Sequence, residues 1–261
     1  MKFTEQDIAV LNYLYNNKVA TYKQIKRDIY PTYQLKSVCN RIYDMEKQNL
    51  ITGNKNNLIC NGDKVLSVSK TAFNRFIKKG EERRIELKSD ATSHDVILLD
   101  LQNHLMQSPK FSEYFSENQL QTWGPPHEDS SLEPLVKLNP DAVVKIKFEK
   151  GSVWAVVEYE HTLKSKRRYD SILKKFYHCT NLPLVLYVCK NEKIIDSISK
   201  QEMKLFKLDS PKIFYQVMHK IEESEVMTFY NYHNHYLEFS KKKDRGFTGD
   251  SPRNRDLEKT G

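Results

Sequence analysis

The stretch NPDAVVKIKFEKGSVWAVVEYEH, residues 139–161, predicts two strands joined by a tight turn. Residues 142–148 alternate between apolar and polar positions, which is typical of a strand with one buried face. Residues 153–159 are apolar on both faces until Glu158, as in a central strand that is covered on each side. Because the two strands of a hairpin run in opposite directions, Asp141 and Glu158 should meet at one edge of the sheet.

The sequence around this hairpin predicts a mixed sheet with helices on its faces. Before the hairpin we expect a helix within residues 93–106, a strand within residues 114–123 and a loop over residues 124–134. After it, residues 161–179 predict a helix and residues 184–188 a buried strand, joined as a right-handed crossover between parallel strands. The order of elements is therefore α-β-β-β-α-β, which places the fold among the α+β and α/β classes.

The last quarter of the chain predicts further elements and a tail. A helix is expected at residues 200–206 and a strand from Lys212. The aromatic run at residues 227–239 favours core packing or a dimer surface, with base stacking as the alternative. Residues 241–261 have almost no apolar side chains and predict a disordered basic tail.

The first 80 residues predict a winged helix-turn-helix. Capping-box patterns begin two helices at Thr4 and Thr21, and a third helix is expected over residues 33–49. The apolar positions of this third helix, which should face inward, are Leu35, Val38, Ile42 and Met45. The runs 58–60 and 65–68 flank an Asn-Gly turn and predict a hairpin, followed by a helix near Lys70.

Basic side chains are concentrated in this part of the chain. Residues 1–88 hold 17 Lys and Arg against 9 Asp and Glu, whereas the rest of the chain holds 25 of each. Such an excess favours binding to a polyanion such as a nucleic acid, because counterions are released when Lys and Arg neutralise phosphates. A winged helix places its third helix in the major groove, and the alternative use of the fold is protein interaction. The expected DNA contacts are Tyr33, Gln34, Lys36, Ser37, Asn40, Arg41 and Lys55.

Composition excludes several other classes of protein. No apolar run approaches the roughly 20 residues that span a membrane, and no signal peptide precedes the first helix, so we expect a cytoplasmic protein without a membrane partner. The four cysteines lack C-x-x-C spacing, which argues against a zinc ribbon, a redox motif or a disulfide framework.

The carboxylates of the hairpin predict a metal site. Like charges at a partly buried edge need a neutralising cation, and oxygen ligands suit Mg²⁺ or Mn²⁺. Asp141 and Glu158 are the expected ligands, and His94 and Glu117 are candidates for extra groups. The alternatives are a simple turn role for Asp141 and an ion pair between Glu158 and Lys145 or an arginine.

Pro140-Asp141, followed seventeen positions later by Glu158-Tyr159-Glu160 on an α-β-β-β-α-β order, resembles the PD-(D/E)xK nucleases. The resemblance implies a metal-dependent endonuclease in which Asp141 and Glu158 bind the metal. Glu160 stands where these nucleases usually have lysine, and Lys164 and Lys166 would replace that lysine from the next helix. Beside such a site, Arg167 and Arg168 are expected to hold the scissile strand, and the alternative is that they belong to a solvated helix start.

The predicted winged helix together with LNPDAVVKI and VEYEHTLKSKRRYDS is similar to the plasmid replication-relaxation family. This similarity implies plasmid or mobile-element DNA, replication control and nicking of a transfer origin. Two functions stay open: a metal-dependent DNA endonuclease or nickase, and a non-catalytic DNA-binding regulator of replication or transcription with a degenerate nuclease fold.

These predictions divide the chain into four segments and indicate its partners. Residues 1–80 would form the winged helix-turn-helix, 81–92 a linker, 93–240 the restriction-endonuclease-like domain and 241–261 the tail. Double-stranded DNA is the expected partner, with a second copy of the chain or other DNA-processing proteins as further candidates.

Overall fold

The structure, a computed structural model, describes residues 3–54, 64–124, 130–206 and 211–242. The helices are α1 (Glu5–Asn17), α2 (Tyr22–Asp28), α3 (Leu35–Lys47), α4 (Lys70–Ala72), α5 (Thr92–Met106), α6 (Glu117–Trp123), α7 (Glu133–Val136), α8 (Lys166–His178), α9 (Glu192–Leu205) and α10 (Met218–Glu223). The strands are β1 (Ala20–Thr21), β2 (Ile51–Asn54), β3 (Val65–Val68), β4 (Phe111–Ser116), β5 (Ala142–Phe148), β6 (Gly151–Glu160), β7 (Val185–Cys189), β8 (Ile213–Val217), β9 (Val226–Tyr230) and β10 (Tyr236–Ser240).

Helices α1 to α4 and a small antiparallel sheet form what we call the N-terminal unit. Its sheet has the order β1-β3-β2, and α4 continues into a wider helical turn at Phe73–Ile77. Both predicted capping boxes are present, at Thr4 and Thr21. Residues of α1, α3 and β3 form one apolar core, which includes Leu11, Ile42 and Leu66.

Three expectations for the N-terminal unit are corrected. Helix α3 begins at Leu35, so Tyr33 and Gln34 precede the helix, with Gln34 as its N-cap. Leu35 was expected to face inward, but it is 42% exposed because it lies in the first turn, ahead of the buried stripe that begins at Val38. Strand β3 pairs with β2 on one side and with β1 on the other, rather than with a strand at residues 58–60 alone. The predicted run at residues 58–60, its Asn-Gly turn and Lys55 lie outside the described residues.

The larger sheet has seven strands in the order β10-β9-β8-β7-β6-β5-β4. Strands β6, β7 and β8 are parallel, as the predicted crossover requires, and the other pairs are antiparallel. Helices α8 and α9 cover one face, and α5 and α10 cover the other. The sheet is curled, so Phe111 of β4 and Phe239 of β10 come together with ring centroids 4.7 Å apart.

The segment between β4 and β5 differs from the prediction. Residues 114–123 were expected to form a strand, but β4 ends at Ser116 and α6 follows at once. The physical reason is a third capping box, in which Ser116 and Gln119 bond each other's backbone N–H groups. Part of the predicted loop over residues 124–134 is likewise helical, at Ser130–Leu132 and α7.

The C-terminal elements are broadly as expected. Helix α9 begins at Glu192, earlier than predicted, because Asn191 caps it by accepting from the Ile194 N–H. The aromatic run forms the hairpin β9–β10, in which Phe229 and Phe239 are buried and Tyr236 is exposed. The expected tail lies outside the described residues from position 243 onward. Among the described helices, none has the length and apolarity that crossing a bilayer requires.

Candidate active site

The register of the β5–β6 hairpin brings Asp141 and Glu158 together. Ala142 pairs with Val157, so the next residues outward on the two strands are Asp141 and Glu158. Directly opposed residues of an antiparallel pair have their Cβ atoms roughly 5 Å apart on the same face. The carboxylates therefore converge at one edge of the sheet, next to the N-terminus of α5.

Asp141 is held in place by three contacts. Its Oδ2 accepts a hydrogen bond of 2.7 Å from the Tyr159 N–H and lies 3.3 Å from Nε2 of His94. Its backbone carbonyl accepts from the N–H of Glu117 at 2.8 Å, which links it to the start of α6. Asp141 therefore does more than end a turn, because its side chain joins β5, β6 and α5.

His94, in the first turn of α5, supplies the cationic partner of Asp141. Its Nδ1 lies 3.3 Å from the Asp95 carboxylate, and its Nε2 lies 3.1 Å from the Tyr159 carbonyl oxygen. Burial by itself would lower the pKa of His94, but hydrogen bonds to Asp141 and Asp95 outweigh burial and raise the pKa to about 10. At neutral pH His94 is therefore an imidazolium that faces the carboxylates.

Glu158 is the unpaired carboxylate of the cluster. Burial, and after it the charge of Asp141, raises the pKa of Glu158 well above its usual range, although Lys164 and His94 oppose this. Among the described residues, none donates a hydrogen bond to the Glu158 carboxylate or forms an ion pair with it. The alternative pairing with Lys145 is not formed, since Lys145 contacts Glu113 at 2.9 Å.

Glu160 lies on the same face as Glu158 and is 2% exposed. The Lys164 Nζ approaches its Oε2 to 2.6 Å, although the approach lacks the alignment of a hydrogen bond. The Lys164 backbone is fixed in turn, because its N–H donates to the Tyr169 hydroxyl at 2.9 Å. The ammonium group of Lys164 is thus held beside the carboxylates, next to the position where lysine was expected.

The first turn of α8 presents three basic side chains to solvent. Lys166, Arg167 and Arg168 are all exposed. They follow Lys164 within a few residues, so the rim of the cluster is basic while its centre is acidic. Of the five residues expected to act in catalysis, four approach one another here, and Lys166 lies on the rim.

The two carboxylates fit a divalent cation of the Mg²⁺ class. Mg²⁺ is usually bound through one or two carboxylates, with water and substrate phosphate completing its octahedron. Asp141 and Glu158 offer such a pair, and within the described part of the chain Glu158 has no competing partner. No group of three or more His, Cys, Asp or Glu residues in the described ranges is arranged to hold a metal. Asp141 and Glu158 would therefore hold the ion together with water or phosphate oxygens.

Of the expected DNA-contacting residues of the N-terminal unit that the structure describes, all but Arg41 are exposed. Tyr33, Gln34, Lys36, Ser37 and Asn40 are exposed at the start of α3. Arg41 instead donates from Nε to the carboxylate of Asp7 at 2.7 Å, with a second bond from Nη2. Burial alone would raise the pKa of Asp7, but bonds from Arg41 and Thr4 lower it. Arg41 thus serves the packing of α3 on α1.

Several residues near the cluster were not found by sequence reasoning. The Lys18 Nζ contacts the Glu117 carboxylate at 2.7 Å. Glu117, a candidate extra group for the metal site, is therefore paired with a lysine of the N-terminal unit. The His161 Nδ1 lies 3.2 Å from the Tyr159 hydroxyl, and its Nε2 lies 3.4 Å from the Lys190 Nζ. Position at a strand end was the available signal for His161, whereas nothing local to the sequence marks Lys18.

Comparison of the chain with family models, with curated proteins and with solved structures gave no match. The residues of the cluster and their arrangement are therefore the basis for proposing a function.

Proposed function

We propose that the protein binds double-stranded DNA through its N-terminal unit, used as a winged helix-turn-helix, and hydrolyses a phosphodiester bond with Mg²⁺ or Mn²⁺ held by Asp141 and Glu158. The sheet would then be a restriction-endonuclease-like domain, as the PD-(D/E)xK resemblance implies. The observation that carries the proposal is the meeting of Asp141 with Glu158 at one end of the sheet, beside the ammonium group of Lys164, where no described residue pairs with the Glu158 carboxylate.

In the proposed reaction, water attacks the phosphorus atom and gives up a proton to solvent, the bond from phosphorus to the leaving sugar oxygen breaks, and that oxygen takes up a proton from solvent. A divalent ion, when bound, would lower the pKa of the attacking water and offset the phosphate charge. Lys164 would stabilise the charge that develops on the phosphate, in place of the lysine that Glu160 replaces. Arg167 and Arg168 would hold the backbone of the strand to be cut.

The arrangement of α3 supports the DNA-binding part. Its exposed polar residues follow the turn after α2, as in recognition helices that enter the major groove. The net positive charge of the first third would supply affinity that does not depend on sequence. The sequence resemblance of LNPDAVVKI and VEYEHTLKSKRRYDS to the plasmid replication-relaxation family, which no family model matches, would make plasmid or mobile-element DNA the substrate.

A second candidate function is supported by His94. Its imidazolium already neutralises Asp141 through a contact of 3.3 Å, so the edge does not need a metal ion for stability at Asp141. In that case the protein would be a non-catalytic DNA-binding regulator of replication or transcription with a degenerate nuclease fold.

Incubation with supercoiled plasmid and Mg²⁺ or Mn²⁺ separates the two functions. We expect nicked or linear product from the wild type, and at least about 100-fold less from Asp141→Asn/Glu158→Gln, because loss of metal ligands costs more than loss of their outer partners. The matched control is Glu149→Gln/Glu238→Gln, which removes two exposed carboxylates at the other end of the sheet and should cut like the wild type.

The outcome decides between the candidates. Binding of DNA without cutting by the wild type in either metal would reject the nuclease and favour the regulator. Equal cutting by the wild type and by Asp141→Asn/Glu158→Gln would place the activity elsewhere.

A further inference from the structure

Helices α5 and α6 each belong to two apolar cores. In α5, Leu99 lies in the core of the N-terminal unit, whereas Leu101 and Leu105 lie in the core between the sheet, α5 and α10. In α6, Trp123 packs against the N-terminal core and Leu120 lies in the core between the sheet, α8 and α9. The N-terminal unit and the sheet are therefore joined through shared helices.

A polar contact fixes α2 to α5. The Asp100 Oδ1 accepts from the Arg27 Nη1 at 2.6 Å and from the Gln24 Nε2 at 2.9 Å. The same Gln24 amide donates to the Val96 carbonyl at 2.9 Å. We call the contacts of Asp100 with Gln24 and Arg27 the first clamp.

A second contact fixes the end of α1 to α6. Lys18 is 9% exposed, and its Nζ contacts Glu117 at 2.7 Å and Glu86 at 3.3 Å. Burial would lower the pKa of Lys18, but the contact with Glu117 outweighs it and raises the pKa. Lys18 also has a φ of 62°, a backbone conformation that non-glycine residues rarely adopt. We call the contacts of Lys18 with Glu117 and Glu86 the second clamp.

Each clamp involves an element that also contacts Asp141. The helix that carries Asp100 also carries His94, which contacts the Asp141 side chain. Glu117, which contacts Lys18, donates its N–H to the Asp141 carbonyl at 2.8 Å. A pocket lined in part by Asn17, Lys18, Glu117 and Asp141 lies where the N-terminal unit meets the end of the sheet that holds Asp141 and Glu158, which we call the carboxylate edge.

We propose that Lys18 and Asp100 are positioning residues that lock the N-terminal unit onto the carboxylate edge, so that DNA held by α3 meets Asp141 and Glu158 at one fixed spacing. The part of this proposal that concerns the position of the cut rests on the proposed nuclease function. The clamp itself rests only on the contacts between the N-terminal unit, α5 and α6.

Scanning calorimetry of the full chain tests the clamp without DNA. We expect one unfolding transition for the wild type, with a calorimetric to van't Hoff enthalpy ratio of about one. Lys18→Met/Asp100→Asn should split this transition in two or raise the ratio clearly above one. The control Lys220→Met/Asp196→Asn removes the same charges from exposed sites in α10 and α9 and should unfold like the wild type.

The spacing between the protected DNA and the cut tests the positioning role. On one DNA fragment, footprinting and mapping of the cut should give a single spacing for the wild type and for the control variant. The clamp variant should cut at several neighbouring positions around an unchanged footprint, which a loss of stability alone would not produce. If the double variant does not fold, Asp100→Asn alone should give the same spread to a smaller extent.

Two results would overturn the inference. The first is a single transition in the clamp variant with an enthalpy ratio equal to that of the wild type. The second is an unchanged cut position in that variant. If the wild type binds DNA and never cuts it, the nuclease proposal fails while calorimetry still decides whether the clamp exists.

Discussion

Glu202 of α9 is a carboxylic acid in the apolar layer between α8, α9 and the sheet. It is fully buried, and its two oxygens accept from the hydroxyls of Tyr177 and Tyr215, the latter at 2.7 Å. Burial raises the pKa of Glu202 to about 7, although the two tyrosine hydrogen bonds act in the opposite direction. Because folding changes the pKa of Glu202, its titration contributes to the pH dependence of stability.

The raised pKa of Glu202 predicts a loss of stability with rising pH. Between its ordinary value of 4.5 and about 7, the folded state keeps a proton that the unfolded chain has lost. The free energy of unfolding should therefore fall as pH rises through this window, by up to about 3 kcal/mol. In Glu202→Gln this part of the pH dependence should be absent. Urea unfolding of both proteins at pH 5 and pH 8 measures it, and equal pH dependence would contradict the assignment.

At the scale of elements, the polar residues of α3 have two roles: Arg41 stabilises the fold, and Lys36 is proposed to contact DNA. Arg41→Ala should lower the free energy of unfolding by about 2 kcal/mol, because the Asp7 carboxylate, which is fully buried, would lose its charged donor. Lys36→Ala, at an exposed site of the same helix, should change the free energy of unfolding by less than about 0.5 kcal/mol while weakening DNA binding. Denaturant unfolding and a gel-shift titration measure the two effects. The opposite pattern would reverse the division.

The sequence predicted elements well where periodicity and caps agree. The β5–β6 hairpin, α8 and β7 follow from alternating or continuous apolar runs. The meeting of Asp141 with Glu158 follows from hairpin direction alone. The strand predicted at residues 114–123 was wrong because Ser116-Glu117-Asn118-Gln119 is compatible both with the alternation of a strand and with the start of a helix. The reciprocal hydrogen bonds between Ser116 and Gln119 favour the helix.

What the sequence could not predict depends on contacts between distant segments. Arg41 reads as a surface residue of α3 until Asp7 is seen beside it, 34 positions earlier. Lys18 and Glu117 are 99 positions apart, and neither lies in a motif that marks the other. Likewise, only the structure shows that Lys145 pairs with Glu113, and that Glu158 has no partner among the described residues.

At the scale of the whole molecule, the uneven charge predicts salt-dependent DNA binding. Each phosphate contacted by Lys or Arg contributes about −0.9 to the slope of log affinity against log salt. We expect Lys36→Ala to reduce the steepness of this slope by about that amount. Lys220→Ala, outside the N-terminal unit, should leave it unchanged. Fluorescence anisotropy at salt concentrations from about 50 to about 200 mM measures this slope. An affinity that does not change with salt would contradict phosphate binding.

The curl of the large sheet has a consequence for self-association. Edge strands expose unpaired N–H and C=O groups, which can template pairing with another chain and lead to aggregation. Here Phe111 and Phe239 bring the two edges together, and the Lys242 N–H donates to the Gln107 carbonyl at 3.0 Å, just after β10. Each edge strand thus shields part of the other. Phe239→Ala should open this contact, and a concentrated solution of that variant would then be prone to form fibres through strand addition.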